Sequence, residues 1–150
     1  MSILSGKGKV KLNGQKALTK DKPILSIEAP DVVYIPLVLG MATDFDVHVK
    51  EGDHVCIGTK IATRKSMYVP IYSSVSGTVK GIEKRMHASK RLQQHIVIEN
   101  DHKNERVKAY EVKNPDSMSQ EEVFNAIKEL GIIGLGGSGF PTYIKYSHPQ

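Results

Sequence analysis

Between residues 47 and 82 the apolar positions fall in short runs, each broken by turn residues after a few steps. Val47 and Val49 alternate with polar residues before Lys50, Glu51, Gly52 and Asp53. Val55 to Gly58, Ile61 with Ala62, Met67 to Pro70, and Ser76 to Val79 follow in the same manner. This pattern predicts several short strands joined by tight turns. Gly52 and Gly77 sit where the turns need positive φ, and Asp53 can bond its own backbone. Upstream, Ile24 to Ile27 and Val32 to Ile35 read as strands separated by Ala29, Pro30 and Asp31, with Pro36 ending the second. Residues 37–43 form a loop around Gly40. Val10 to Leu18 alternates about Asn13-Gly14, which predicts a two-residue hairpin.

Downstream, Ile82 leads into a basic hairpin tip from Lys84 to Arg91, and His95 to Glu99 is the returning strand, ended by Asn100 and Asp101. A short strand is expected over 107–112. The period then changes. Val123, Phe124, Ile127 and Leu130 recur at helical spacing. Ser119 with Glu122 three residues on makes a capping box, Glu121 and Glu122 lie at the positive end of the helix dipole, and Gly131 is the stop. The change of composition near Asn114 marks a boundary, giving two units, 1–113 and 114–150.

Composition narrows this picture. Tryptophan is absent and aromatics are 6% of 150 residues, so the core is expected to be aliphatic. No apolar run approaches the roughly 20 residues that span a bilayer, and the first residues lack the apolar stretch of a signal peptide. A cytoplasmic location is the expectation. Cys56 is the only cysteine, so neither an internal disulfide nor a cysteine-ligated iron–sulfur cluster can form within the chain. The net charge is +5 with a pI near 9.2. The lysines are scattered with no aromatic platform, so the basic balance is read as solvated surface and not as a nucleic-acid site.

Candidate chemistry is sparse. Asp44 and Asp46 lie on a polar turn and read as solvated rather than as a catalytic pair. Six histidines show no metal-binding spacing, and no metal site is expected. Cys56 sits in an apolar run and reads as a small buried hydrophobe. No residue reads as a catalytic acid, base or nucleophile. The densest signal is the end of the chain, where Gly131, Gly134, Gly136, Gly137 and Gly139 fall within nine residues, followed by Lys145. Such a run lets backbone N–H groups approach an anion closely.

Two resemblances follow from these residues. The order Val47-x-Val49, Gly52-Asp53, Val55, Gly58, Ile61-Ala62, then Pro70-Ile71 and Ser76-Gly77-Thr78-Val79, resembles the barrel-sandwich hybrid fold of biotinyl and lipoyl carrier domains. It is more similar to the related domain of RnfC-type electron-transfer subunits. Carrier domains modify a lysine at a hairpin tip, and Lys65 lies near that position. Arg64, Ser66 and Met67 around it lack the flanks a modifying ligase reads, so a swinging-arm carrier is the lesser reading. Gly134-x-Gly136-Gly137-Ser138-Gly139-Phe140-Pro141-Thr142, with Lys145, resembles the flavin-site loop of the NADH-oxidising subunit of complex I and its RnfC relatives.

The expected fold is therefore mainly β, a barrel-sandwich hybrid over 1–113. A helix and glycine-rich loop over 114–150 then begin an α/β flavin-binding domain. The resemblance implies that Gly134, Leu135, Gly136, Gly137, Gly139 and Lys145 lie against FMN, with NAD(H) nearby. Complex I carries an arginine where this chain has Leu135. The Gly-Gly-Ile-His element common in RnfC is absent, echoed only from Gly14 to Thr19, and Val38-Leu39 replaces its Gln-His. These departures suggest a divergent branch, such as the RnfC-like protein linked to proline reductase or the cobalamin-reductase relative. The resemblance further implies an N-terminal module of an NADH-dependent electron-transfer subunit, with iron–sulfur clusters in downstream regions. Its partners are other electron-transfer subunits or reductase components, with peripheral association to the membrane through them. The module alone is expected to bind FMN weakly or not at all; a docking module without catalysis is the alternative.

Overall fold

A computed structural model describes residues 14–108, 114–135 and 138–147. Among the described residues seven strands run in chain order: β1 Val32–Pro36, β2 Phe45–Val47, β3 His54–Val55, β4 Lys60–Arg64, β5 Val69–Tyr72, β6 Gly77–Met86 and β7 Leu92–Asn100. Two helices follow, α1 Gln120–Glu129 and α2 Thr142–Tyr146. The strands form two antiparallel sheets, one ordered β1-β7-β6-β3 and the other β2-β4-β5.

The two sheets share one core. Val55, Val79, Ile96 and Ile98 enter from the larger sheet, Ile61 and Ala62 from the smaller, and Leu37 from the loop after β1. Ile61, Ile96 and Ile98 are completely buried. Burying one such side chain contributes about 1.5–3 kcal/mol. The core is aliphatic, as the composition implied.

The turn around Gly52 forms where the sequence places it, whereas Gly77 begins a strand. The Asp53 carboxylate accepts the Lys50 N–H at 2.9 Å, and Gly52 takes a φ of 89° between them. β6 pairs with β7 from Gly77↔Asn100 to Met86↔Leu92, with a register shift between Val79 and Gly81. That hairpin is longer than the pattern indicated, because its outer half is solvated and polar. Its tip closes through the His87 N–H to the Arg91 carbonyl at 3.0 Å, and the Arg85 guanidinium lies 3.7 Å over the Tyr34 ring. Pro36 ends β1, which is an edge strand and tolerates proline.

Three expectations change. Ile24 to Ile27 is not a strand, and Ile24, Leu25 and Ile27 are exposed. An alternating run becomes a strand only where a partner edge accepts it, and no described strand pairs with this one. The second arm of the early hairpin is absent too. Gln15 takes a left-handed conformation and Lys16–Leu18 makes a 3-10 turn; the first arm, through Asn13, lies outside the described residues. Of the strand expected over 107–112, the described residues Val107 and Lys108 are not in a strand, and a single parallel bridge joins Ile57 to Arg106 just before them. Residues 109–112 lie outside the described residues.

α1 begins as the sequence indicates. The Ser119 side chain accepts the Glu122 N–H, and the Glu122 carboxylate accepts the Ser119 N–H. Gly131 follows with a φ of 65°. Phe124 meets Tyr143 of α2 edge-on, with ring centroids 5.6 Å apart.

Candidate functional site

The glycine-rich segment is fastened to the sandwich rather than free of it. Ile133 bridges Pro141, the Gly134 N–H donates to the Phe140 carbonyl at 3.0 Å, and the Thr142 N–H donates to the Ile132 carbonyl at 2.9 Å. Pro141 is completely buried. Gly139 and Gly40 allow a close approach between this segment and the loop after β1. A Cβ on Gly139 would lie 2.8 Å from Cδ1 of Leu39, and one on Gly40 would overlap the Ser138 carbonyl. Both glycines also have positive φ, 68° and 61°. The segment therefore packs here only because neither position carries a side chain.

Of the residues expected against FMN, Gly134 and Gly139 hold this packing, while Leu135 and Lys145 are exposed. Gly136 and Gly137 lie outside the described residues. Against a flavin phosphate, the described residues offer the Lys145 cation, but the Gly134 amide is already bonded. They do not complete a phosphate cradle by themselves.

A second attachment joins α1 to the smaller sheet. One Glu129 carboxylate oxygen accepts from Lys60 Nζ and from the Tyr68 hydroxyl, each at 2.8 Å, and Lys60 Nζ also donates to the Tyr68 hydroxyl at 2.8 Å. The Tyr72 hydroxyl donates to the Glu129 backbone carbonyl, satisfying one of the orphan acceptors at a helix C-terminus. Lys60 and Glu129 shift each other in opposite directions: Glu129 is held below the usual carboxylate range by the Lys60 hydrogen bond, and Lys60 is raised by Glu129 and then Tyr68. Burial raises the Tyr72 hydroxyl. Lys128 stands 5.0 Å from the Tyr68 ring centre, and a Cβ on Gly131 would lie 2.9 Å from the Pro70 carbonyl oxygen. Beside this attachment is a cleft of about 420 Å³ between Ile57, Tyr72, Val107 and Leu130. Sequence alone gave no sign of it, since Glu129 and Lys60 are 69 positions apart.

At the β4–β5 turn, Lys65 stands at the hairpin tip, where carrier domains place their lysine. Its Nζ is paired with Asp46 at 2.8 Å. Asp44 accepts the Ser66 N–H at 2.8 Å, and its acidity is strengthened by its bonds to Ser66. The two aspartates thus fasten the hairpin tip.

On the other sheet, three residues that the sequence left unconnected come together. His54, Cys56 and Glu105 offer ligand atoms that lie within 4.8 Å of one another. Cys56 is partly exposed, not the buried hydrophobe its apolar neighbours suggested. The missed signal was the spacing of His54 and Cys56, which puts both on one side of an extended chain.

A family model of the RnfC barrel sandwich hybrid domain matches residues 4–103. The chain belongs to the RnfC barrel sandwich hybrid family. Among the curated relatives of this RnfC-type chain is a subunit of the proton-translocating ferredoxin:NAD(+) oxidoreductase complex of Clostridium ljungdahlii, 35% identical over 149 residues. That match covers 98% of this chain and 33% of the relative. The corresponding subunit of the Na(+)-translocating ferredoxin:NAD(+) oxidoreductase complex of Acetobacterium woodii is 32% identical over 139 residues, covering 90% of this chain and 31% of the relative. A subunit of the ion-translocating oxidoreductase complex of Serratia proteamaculans is 28% identical over 132 residues, covering 87% and 19%. The RnfC-type chain therefore spans a third or less of the length of these relatives. The family match covers the sandwich with both its sheets. No helix among the described residues is long and apolar enough to cross a membrane.

Proposed function

We propose that this chain is a positioning and docking module of an RnfC-type electron-transfer protein and performs no chemistry by itself. The observation that carries this reading is the fastening of the glycine-rich segment. Gly139 against Leu39, Gly40 against Ser138, and Glu129 against Lys60, Tyr68 and Tyr72 fix that segment to the sandwich at two places. A rigid scaffold that aims a glycine-rich loop suits a site completed by other parts of a longer protein.

In this reading the biotinyl/lipoyl-like sandwich comprises residues 1–113, and 114–150 begins a complex I-like FMN/NADH-binding region. Gly134, Leu135, Gly136, Gly137, Gly139 and Lys145 line one wall of the flavin pocket. The whole protein carries electrons between NADH and iron–sulfur or other acceptors, with FMN supplying the redox chemistry. Its partners are the other subunits of an ion-translocating oxidoreductase, which hold it at the inner face of the membrane. Support comes from the relatives' names and from the loop's residues. A covalent carrier role for Lys65 is disfavoured by its neighbours Arg64, Ser66 and Met67, which lack the flanks a modifying ligase reads.

The test compares this chain with the full gene product from its source cells. Titrated with FMN, the chain should show no stoichiometric quenching of flavin fluorescence, whereas the full product should retain FMN and oxidise NADH. Tight one-to-one binding by the chain alone would overturn the docking reading. A full product without flavin or NADH oxidation would overturn the electron-transfer reading.

A further inference from the structure

We propose that His54, Cys56 and Glu105 form a metal site on the rim of the larger sheet, selective for Zn²⁺ and related divalent transition ions. It is independent of the flavin reading and lies on other residues.

The backbone brings the three together for clear reasons. His54 and Cys56 flank Val55, whose side chain is buried in the core. In an extended chain that turns the two flanking side chains to the opposite side together. Glu105 arrives on a parallel segment: the Ile57 N–H donates to the Glu105 carbonyl at 2.8 Å, and the Val107 N–H donates to the Ile57 carbonyl at 3.0 Å. Cys56 is held by its N–H donating to the Thr59 hydroxyl at 3.0 Å. The three ligand atoms lie within 4.8 Å of one another, so small side-chain rotations suffice for tetrahedral coordination.

A supporting shell is already in place. Ser76 is fully buried. Its hydroxyl donates to Asp101 Oδ1 at 2.6 Å and accepts the Glu105 N–H at 3.1 Å. The other Asp101 oxygen meets His54 Nε2 at 3.2 Å. One buried hydroxyl therefore positions both Glu105 and the carboxylate that orients His54. Asp101 engages Nε2, so His54 offers its Nδ1 to the ion, in the carboxylate–histidine–metal arrangement that fixes the tautomer and raises ligand basicity. The Glu105 carboxylate has no cation partner among the described residues.

The ligand chemistry selects the ion. One thiolate, one imidazole and one carboxylate suit Zn²⁺, whereas the thiolate disfavours Mg²⁺ and Ca²⁺. Three protein ligands leave a fourth position for water or an outside group. Binding displaces the thiol proton to solvent.

The experiment is a Co²⁺ titration of the purified chain followed by absorbance. The expected result is a thiolate-to-cobalt charge-transfer band with tetrahedral d–d bands, saturating at one ion per chain and abolished by stoichiometric Zn²⁺. Cys56→Ser should remove the band. His54→Gln and Glu105→Gln should each weaken binding, and Asp101→Asn should weaken it about 10- to 100-fold. Zn²⁺ should also slow alkylation of Cys56 in the unaltered chain, a readout that needs no variant to fold. Absence of the thiolate band overturns the proposal. So does one ion per two chains, or binding indifferent to His54→Gln and Glu105→Gln.

Discussion

Gly77 shows how single residues limit this fold. A Cβ there would overlap the Glu99 carbonyl of the paired strand, whereas one on Gly52 meets open space. The expected cost of Gly77→Ala is about 1–3 kcal/mol from overpacking, while Gly52→Ala should cost nearer about 1 kcal/mol, from its positive φ alone. Urea midpoints of the two variants check this order, and equal midpoints would contradict the close approach. Ser76 is a second such residue. It is fully buried and bonds Asp101, and its Oγ also accepts the Glu105 N–H. Ser76→Ala should destabilise by about 1–3 kcal/mol, since two polar groups lose their shared partner. The sequence marks Gly77 as a turn residue, but it opens β6, paired with Val55 and Asn100, and the close approach of Glu99 is what requires a glycine there. The hub role of Ser76 was not legible, because its partners are 25 and 29 residues away.

Among the elements, α1 divides cleanly between local and distant causes. Its start is written locally in Ser119 and Glu122, and Ser119→Ala should cost about 1 kcal/mol of helix stability, readable from amide exchange in the first turn. Its attachment depends on Glu129 and Lys60. The Glu129 pKa is depressed in the folded protein, so its contribution is present above the ordinary carboxylate value of about 4.3 and is lost as pH falls through the lower folded value. The Lys60 pKa is raised, so its contribution is full below the ordinary lysine value of about 10.4 and is lost only as pH rises through the higher folded value. Amide exchange at the end of α1, corrected for the intrinsic pH dependence of exchange, should therefore be flat across neutral pH and accelerate in acid. Both side chains are substantially exposed, which limits Glu129→Gln to about 0.2–1 kcal/mol. A corrected exchange rate unchanged between neutral and strongly acidic solution would rule out this attachment.

For the molecule as a whole, one core serves both sheets. Ile61 belongs to the smaller sheet and Ile98 to the larger, and both are completely buried in the same cluster. Ile61→Ala and Ile98→Ala should each cost about 2–5 kcal/mol. Each should also lower the stability of both sheets together, seen as one cooperative urea transition by far-ultraviolet circular dichroism and by tyrosine fluorescence. Separate transitions for the two signals would mean that the sheets do not depend on a common core.

Turn chemistry, strand alternation and the cap of α1 were set by the sequence itself, since each depends on neighbours a few positions apart. So was membership in the RnfC type, because the order of its short strands and glycines is a linear property. Tertiary structure decided the rest. The apolar run of Ile24, Leu25 and Ile27 had strand character but no edge to pair with among the described strands, and it stays exposed. Asp44 and Asp46 found the β4–β5 tip, Glu129 found Lys60, and Glu105 reached His54 and Cys56. Such contacts join positions far apart in the sequence, and strand pairing together with the docking of α1 and of the segment around Glu105 brings them within bonding distance.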